Sequence, residues 1–485
     1  MRRTILLASA ALALLSAGPA AATGISPGAA EDMERSLTRY LPPELVAAGL
    51  VTVQAATSFY ELRFDPAVLM DKARASGVTV EGLKPVTAYL RPMPEGTYRV
   101  ESASSLNVKG TLPASANGGG SFSYLIDSMK LDGIYDPEIL YFTAADWTAR
   151  GIAFTSVSPK QSLDARFGDM AMRVAARKRE AGLIDISSTG VLKAFTETVT
   201  GGEQGRVEIG ADTVNIDVNF DGARYKAFHD LVFFVLDNMD KKQLAPTEAQ
   251  RLKDLLRASM PVFDNLTETI EALNVTVGTA QGTFGARSVR YNIDMNGIAH
   301  STRVGFGFDI DGPRPPAGVL PAAFASAVPE RATFKAAVTS LDLAGALDYL
   351  LDNGDFTRSP PLTDAQNAEI GRIVLPTGAM IVEFEDVSAV SSIYDVHLSG
   401  QMRVLPGAKE GHSADVTITA RDFDKTVAYL QQNAAAVPQF GQAAFMLLMV
   451  KGFAKDAGGG AQSWDLSVAP DGKVLINGRP LPFQK

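Results

Sequence analysis

Apolar and polar side chains alternate along several segments of the chain, which is the period-two pattern of a β-strand. The alternation is unbroken over residues 214–220 and 289–295. A strand with this pattern places one face in a core and the other in water, as in antiparallel sheets. The pattern therefore predicts antiparallel sheets as the main architecture. Further alternating runs occupy residues 207–209, 302–310, 381–387, 396–404 and 416–418.

Helical segments are fewer and have recognisable ends. Thr247 and Gln250 have the spacing of a capping box, and leucines recur on a helical face after them. Asp65-Pro66 predicts a helix start, with Asp as N-cap and Pro at the first helical position. Residues 440–453 are apolar almost all round. We interpret that segment as a buried helix, because a membrane span needs about 20 apolar residues.

An internal repeat connects these elements. Leu-Asp-Asn-Met-Asp at 236–240 precedes Thr-Glu-Ala-Gln at 247–250, and Leu-Asp-Asn-Gly-Asp at 351–355 precedes Thr-Asp-Ala-Gln at 363–366. A partial third copy pairs Asp342 with Asp422, each where a strand gives way to a helix and N-capping explains an aspartate. We therefore predict an α+β fold, in which strand-rich antiparallel sheets with interspersed helices form repeated strand–helix–helix–strands units. The expected repeat units are residues 57–200, 201–330 and 331–485, within one extended body.

The first residues have the three zones of a secretory signal. Arg2 and Arg3 supply positive charge, residues 5–15 are apolar, and Ala20-Ala21-Ala22 fits a signal peptidase. The alternative is a membrane anchor, for which the apolar run is too short. We expect residues 1–22 to be removed and residues 23–485 to be the mature periplasmic region. The Sec route is the simpler expectation, and the two arginines leave the twin-arginine route open.

Composition and charge exclude several functions. The chain is 46% hydrophobic and 20% charged, which is typical of a folded protein. A net charge of −9 argues against binding nucleic acid or anionic membrane surfaces. The short basic cluster at 177–179 is expected on a solvated face. Since the chain has no cysteine, thiol catalysis, thiolate metal sites and lipoprotein acylation are excluded.

The four histidines do not form a metal motif. They are His229, His300, His397 and His412, and no two have the i, i+4 spacing of a helical metal site. We expect structural or surface roles for them, and neither a metal nor another cofactor.

Patterns that resemble catalytic or ion-binding motifs have simpler explanations. Gly24-Ile25-Ser26-Pro27-Gly28 has the form of a nucleophile elbow, but no strand precedes it and Pro27 lacks the N–H that an oxyanion hole requires. The glycines at 118–120 lack a phosphate-loop lysine, and Asp309-x-Asp311 lacks the later glutamate of a calcium loop. Glu383 and Glu385 alternate with apolar residues, which predicts the outer face of a strand. The sequence therefore assigns no catalytic, cofactor-binding or metal-binding residue.

The end of the chain carries turn chemistry that resembles a known family. Residues 464–468 alternate, Pro470-Asp471-Gly472 predicts a turn, and Asn477-Gly478 predicts another. With the signal-like start and the absence of cysteine, this tail resembles the domain of unknown function 2125 family of secreted bacterial proteins. The resemblance covers most of the mature chain. It implies a periplasmic location, and it provides no assigned catalytic residue that could be carried over to this chain.

These observations favour a non-enzymatic envelope protein. Half-buried sheets capped by apolar helices can enclose an apolar groove, so we expect a lipid or another apolar ligand as the partner. One alternative is a repeat scaffold that binds another envelope protein, and another is an unrecognised hydrolase. Nucleic acid is not expected as a partner, nor is a transmembrane segment in the mature chain.

Overall fold

Long antiparallel strands dominate this computed structural model, in which 51% of residues are strand and 24% are helix. The structure describes residues 24–39, 41–70, 74, 77–113, 118–202, 205–239, 241–405 and 412–480. The expected signal peptide, residues 1–22, lies outside the described residues. The predicted α+β class is wrong, because the chain is mainly β with few helices. Its strands are longer than the alternating runs, as β10 (Arg206–Ala223) shows for the run at 214–220.

The chain forms two compact units, Met1–Asp264 (unit 1) and Asn265–Lys485 (unit 2). The described part of unit 1 contains helices α1 (Pro27–Thr38), α2 (Pro43–Ala47), α3 (Tyr225–Asn238) and α4 (Pro246–Ser259), and strands β1 (Val51–Ala55), β2 (Tyr60–Phe64), β3 (Thr79–Glu81), β4 (Val86–Pro92), β5 (Tyr98–Leu112), β6 (Gly120–Asp136), β7 (Tyr141–Val157), β8 (Gln161–Lys178), β9 (Ile184–Gly201) and β10 (Arg206–Ala223). Two short 3-10 helices, Pro66–Leu69 and Glu180–Gly182, complete it.

Unit 1 is a meander in which each long strand pairs with the next. The pairing order is β1–β2–β4–β5–β6–β7–β8–β9–β10, and β3 also pairs with β5. Helix α1 packs at one end of this sheet, where Met33 and Leu37 join a core with Val100 and Tyr135.

The described part of unit 2 contains helices α5 (Ala322–Ala325), α6 (Leu343–Asn353), α7 (Asp364–Val374), α8 (Phe423–Asn433) and α9 (Pro438–Lys451), and strands β11 (Asn265–Thr279), β12 (Gly282–Met295), β13 (Thr302–Asp311), β14 (Arg331–Leu341), β15 (Met380–Val390), β16 (Asp395–Val404), β17 (His412–Arg421), β18 (Lys455–Gly458), β19 (Ala461–Val468), β20 (Val474–Ile476) and β21 (Arg479–Pro480).

Unit 2 is also an antiparallel meander. Strands β11 to β17 pair in sequence, followed by β19, β20 and β21, and β18 pairs with β19. The hairpin of β19 and β20 turns at residues 470–472, where Ala469 N–H donates to the Lys473 carbonyl. This is the terminal hairpin that the alternation and the turn residues predict.

A strand, two helices and a strand follow one another at three places. The helix pairs are α3–α4 after β10, α6–α7 after β14, and α8–α9 after β17. This is the predicted order of elements, although the sequence repeat behind it stays a prediction. The expected repeat boundary at 200/201 falls inside β9, and the one at 330/331 falls just before β14.

The helix caps differ from the predicted ones. The capping box predicted for Thr247 and Gln250 is wrong, because α4 begins at Pro246 and Glu248 caps it by accepting from Ala245 N–H. A capping box forms instead in the second copy of the repeat, where Thr363 N–H donates to Gln366 Oε1 at 2.8 Å at the start of α7. Asp65 does accept from Ala67 N–H, and the first turn of the helix it starts, Pro66–Leu69, is a 3-10 turn.

The two repeat aspartates behave differently. Asp342 caps α6 by accepting from Gly345 N–H at 2.7 Å. Asp422 precedes α8 in a left-handed conformation, with φ +54°, and its side chain makes no capping bond. N-capping therefore explains Asp342 and does not explain Asp422.

Candidate apolar ligand-binding faces

One face of the unit 1 sheet is apolar from strand to strand. The register places Tyr124 opposite Phe154, and the two rings lie 6.4 Å apart. Phe167 and Phe195 stack at 5.0 Å on neighbouring strands. The unit 1 apolar face includes Leu106, Phe122, Tyr124, Ile126, Met129, Trp147, Ile152, Phe154, Phe167, Met170, Leu192, Phe195, Val214 and Ile216.

A line of backbone irregularities crosses this face and shifts the alternation by one residue in mid-strand. Gly151 in β7 has φ +60° and Ala194 in β9 has φ +53°. On the two sides of Gly151, Ala149 and Ile152 nevertheless pack into one cluster with Ile126. The pairing of β7 with β6 and β8, and of β9 with β8 and β10, keeps one register across these positions, so neighbouring strands carry the irregularity side by side without an extra residue. Both halves of each strand are therefore apolar on the same side. Each long strand therefore reads in sequence as two shorter runs out of phase.

The opposite face of the unit 1 sheet is charged and solvated. Arg99 pairs with Asp132 at 2.8 Å, and Arg173 pairs with Asp146 at 2.8 Å. Exposed pairs of this kind contribute little stability. These ion pairs make one face of the sheet polar, whereas the other face is apolar.

The unit 2 sheet has an apolar face as well, and aromatic side chains stand exposed on it. Phe306, Phe308 and Phe334 are 40%, 39% and 39% exposed. The register places Tyr291 opposite Phe308 and Phe308 opposite Phe334. The Tyr291 and Phe306 rings lie 5.2 Å apart, and Phe306 and Phe334 lie 6.3 Å apart. We name these four side chains, on β12, β13 and β14, the aromatic patch.

The aromatic patch lies in the middle of a sheet. Strand β13 pairs with β12 on one side and with β14 on the other, and these two pair outward with β11 and β15. The backbone hydrogen-bonding groups there are used in the sheet, so a peptide cannot add a strand at the patch. The alternation of residues 302–310 predicts the shared face correctly. Its prediction that this face is buried is wrong, because Val304 and Phe306 stand in solvent.

Polar residues lie on the reverse of the patch. Arg290 pairs with Glu271 at 2.7 Å, and Arg287 pairs with Asp311 at 2.9 Å. Arg303 contacts both Asp294 and Glu385. The outer-face position predicted for Glu385 is therefore confirmed.

A single carboxylate interrupts the apolar face along β11 to β17 in the described part of unit 2. Glu268 alternates with Leu266 and Ile270, pairs across to Ile293, and so lies in the same row as Phe306. It is partly buried, and it forms no ion pair or hydrogen bond with any described residue. A carboxylate in this position resists being covered by hydrocarbon, since it would lose its solvation without gaining a partner.

The histidines do not converge on one centre. Both ring nitrogens of buried His229 on α3 have no hydrogen-bond partner among the described residues, and desolvation lowers its pKa. His300 Nδ1 lies 2.9 Å from Asp342, and His397 Nε2 lies 2.8 Å from Asp395. His412 is the exposed first residue of β17. Within the residues described, no three His, Asp or Glu side chains are grouped so as to hold a metal ion.

Other patterns that resemble functional motifs have structural roles. Ser26, the apparent nucleophile, caps α1 by accepting from Ala29 N–H at 3.2 Å. Asp309 accepts from the Thr333 hydroxyl at 2.8 Å, and Asp311 is in its pair with Arg287. In the basic cluster, Lys178 pairs with Asp136 at 2.8 Å. These contacts account for the residues without invoking a ligand.

The exposed aromatic patch is therefore the candidate site, and sequence reasoning did not single out its residues. The alternation of residues 302–310 places Phe306 and Phe308 on one face, but it does not show that this face stays uncovered. Compared with known proteins, the chain matches no family model, no curated protein and no solved structure. The resemblance to the domain of unknown function 2125 family thus stays a prediction. No helix in the described ranges is long and apolar enough to cross a membrane.

Proposed function

We propose that this protein binds the hydrocarbon chains of a lipid on its apolar sheet faces, as a non-enzymatic protein of the bacterial periplasm. The observation that carries the proposal is the aromatic patch, where three phenylalanines are exposed in the middle of a sheet. Monomeric proteins rarely expose a large contiguous apolar surface, and where they do, that surface commonly binds a ligand, a protein or a membrane. The unit 1 apolar face offers the same chemistry on longer strands.

The chemistry of the patch selects the class of ligand. Its side chains are aromatic, with aliphatic Val304 and Ile293 beside them. The backbone N–H and C=O groups of the sheet are already paired with one another. The patch therefore has few polar groups that could bind and orient a polar ligand. Acyl chains fit this description, because each CH₂ group that leaves water contributes about 0.8 kcal/mol.

Substitutions at the patch test the proposal. Phe306→Ser with Phe334→Ser should weaken binding of a fluorescent acyl-chain probe at least about tenfold, since each buried aromatic side chain contributes roughly 1.5–3 kcal/mol. Titration of the purified chain with the probe measures this. The control is Tyr89→Ser, which removes a similarly exposed aromatic side chain (38%) from β4 of unit 1. Equal probe affinity in all three proteins would contradict lipid binding at the patch.

The periplasmic location in this proposal rests on residues 1–22 alone. Fractionation of cells that express the full chain tests it, with the amino-terminal residue determined by sequencing. A mature protein in the periplasmic fraction that begins at Thr23 agrees with the proposal. An uncleaved chain in the cytoplasm would contradict it.

A second candidate function is a scaffold for another envelope protein, and helix α3 favours it. Phe228, Val232 and Val235 recur at helical spacing and are at least 38% exposed. Charged Asp230 and Asp237 flank this stripe on the same helix. An apolar centre with a polar rim is typical of a protein interface. A photo-crosslinker at Val235 that captures one defined envelope protein, with none captured from Val157, would support the scaffold.

A further inference from the structure

The aromatic patch continues across unit 2 as a row of apolar side chains. Directly opposed residues of an antiparallel pair lie on the same face of the sheet, so the strand register traces the row. We name it the apolar row, and its members on β13 to β17 and on β19 are Phe308, Phe334, Val387, Leu398, Ile418 and Trp464. The patch is thus one end of a longer apolar surface.

The two ends of the apolar row differ in what covers them. Phe308 and Phe334 are each 39% exposed, whereas Trp464 is 3% exposed. Trp464 and Ile418 pack into one cluster with α8 and α9, in which the Phe423 ring of α8 lies 5.1 Å from the Trp464 ring. The row is therefore open at the patch and covered by the helix pair from Ile418 onward.

The exposed part of the row has a defined length. It begins at Tyr291 on β12, which is opposite Phe308, and it reaches Leu398 on β16. Val387 and Leu398 are partly exposed. Neighbouring strands lie about 4.8 Å apart, so the distance from β12 to β16 is about 19 Å. An extended palmitoyl chain has about this length.

The helix pair is held firmly at the covered end of the row. Ala444, the one fully buried residue of α9, lies in the cluster, and the Trp464 indole N–H donates to the Val450 carbonyl at 2.9 Å. The other side of α9 is in solvent, where Phe445 is 64% exposed. The prediction that residues 440–453 form a buried helix is therefore wrong, because only one side of α9 is covered.

We propose that one acyl chain lies along the apolar row, across the strands, with its methyl end against the helix pair at Ile418. Resting on the proposed function, this placement adds a direction and a maximum length to lipid binding at the patch. In the covered part of the row, apolar side chains of α8 and α9 already contact Ile418 and Trp464. An acyl chain extends the same kind of contact to Leu398 and Val387, and its polar end lies on the β12 side.

This placement makes affinity depend on chain length. Each CH₂ group that reaches the row leaves water and raises the affinity about twofold to fourfold, until the chain meets the helix pair. Longer chains gain no further contact. We expect affinity to rise from octanoate through laurate to palmitate and to stay level at arachidate, as measured by displacement of the fluorescent acyl-chain probe.

Leu398→Trp tests the length limit, because the larger side chain fills the row one strand earlier. We expect the affinity to become level near laurate, with octanoate bound as before. The control is Ser399→Trp, on the reverse face of β16, which should keep the limit at palmitate. An affinity that keeps rising past palmitate, or a limit that Leu398→Trp does not move, would overturn the placement while lipid binding at the patch stands.

A second measurement leaves the row unchanged. The chain has two tryptophans, so Trp147→Phe leaves Trp464 as its one indole. Palmitate brominated at the methyl end should quench Trp464 fluorescence more strongly than palmitate brominated beside the carboxyl group, because bromine quenches only at short range. Equal quenching, or the reverse order, would contradict the direction. If the acyl-chain probe does not bind the unchanged chain, the proposed function fails together with the placement.

Discussion

At the scale of single residues, exposure separates the candidate site from the core better than residue type does. Phe306 and Phe334 have the composition of core residues, yet they stand in solvent on a sheet whose reverse is charged. Val100 on β5, in contrast, is fully buried beneath α1. The sequence specifies which face each side chain occupies, and it does not specify whether another element covers that face.

Glu268 gives a direct test of what covers the patch. Glu268→Leu should tighten acyl-probe binding about tenfold, because a carboxylate buried beneath hydrocarbon costs roughly 1–3 kcal/mol. The matched control is Glu271→Leu on the reverse of the same strand, where Glu271 pairs with Arg290 at 2.7 Å. Titration with the probe measures both. A weaker affinity for Glu268→Leu would show that the ligand uses the carboxylate instead of avoiding it.

At the scale of elements, strand existence could be predicted and strand length could not. The alternation of residues 214–220 and 289–295 identifies parts of β10 and β12 correctly. Around Gly151 the alternation shifts phase, and only the pairing with neighbouring strands shows that both halves belong to β7. This is the physical reason why the sheet content was underestimated and an α+β class was expected.

The irregularity at Gly151 predicts a stability effect. A Cβ atom built there would lie 2.0 Å from Asp127 Oδ2, and φ is +60°. Gly151→Ala should therefore lower the free energy of unfolding by about 1–3 kcal/mol. Chemical denaturation of the full chain, followed by a spectroscopic probe placed in unit 1, measures this change in the free energy of unfolding.

A second glycine separates the two causes of that loss. Gly96, in the turn between β4 and β5, has φ +78° and open space around its Cβ position. Gly96→Ala tests the cost of the positive φ alone, and Asp127→Ala combined with Gly151→Ala tests the clash. If Gly151→Ala were as stable as the unchanged chain, the left-handed backbone at Gly151 would not constrain β7.

Helix α9 shows a second limit of prediction at this scale. A segment without charge that is apolar all round is expected in a core, and residues 440–453 fit that expectation. A helix that packs one side on its own unit and leaves the other exposed has the same sequence pattern. The positions of Trp464 and Phe423 decide which side is which, and those contacts come from distant parts of the chain.

At the scale of the whole molecule, both units follow one plan. Each is an antiparallel meander with an apolar face and a face of ion pairs. In the described residues, a helix pair follows the last strand of unit 1, and helix pairs interrupt the order of strands in unit 2. A protein with the net charge of −9 gains nothing from anionic partners, which agrees with ligands held through apolar contact. The turn chemistry of the chain end and the antiparallel pairing could be anticipated. The exposed aromatic patch could not, since exposure depends on what the rest of the chain leaves uncovered.

Native mass spectrometry of residues 23–485, purified from a bacterial periplasm without detergent, tests the central claim most directly. We predict additional mass that extracts into organic solvent and is identified as lipid, and we predict its loss in the Phe306→Ser, Phe334→Ser protein. The Tyr89→Ser protein should retain it. A mass equal to the polypeptide alone, both as purified and after incubation with lipid, would contradict lipid binding.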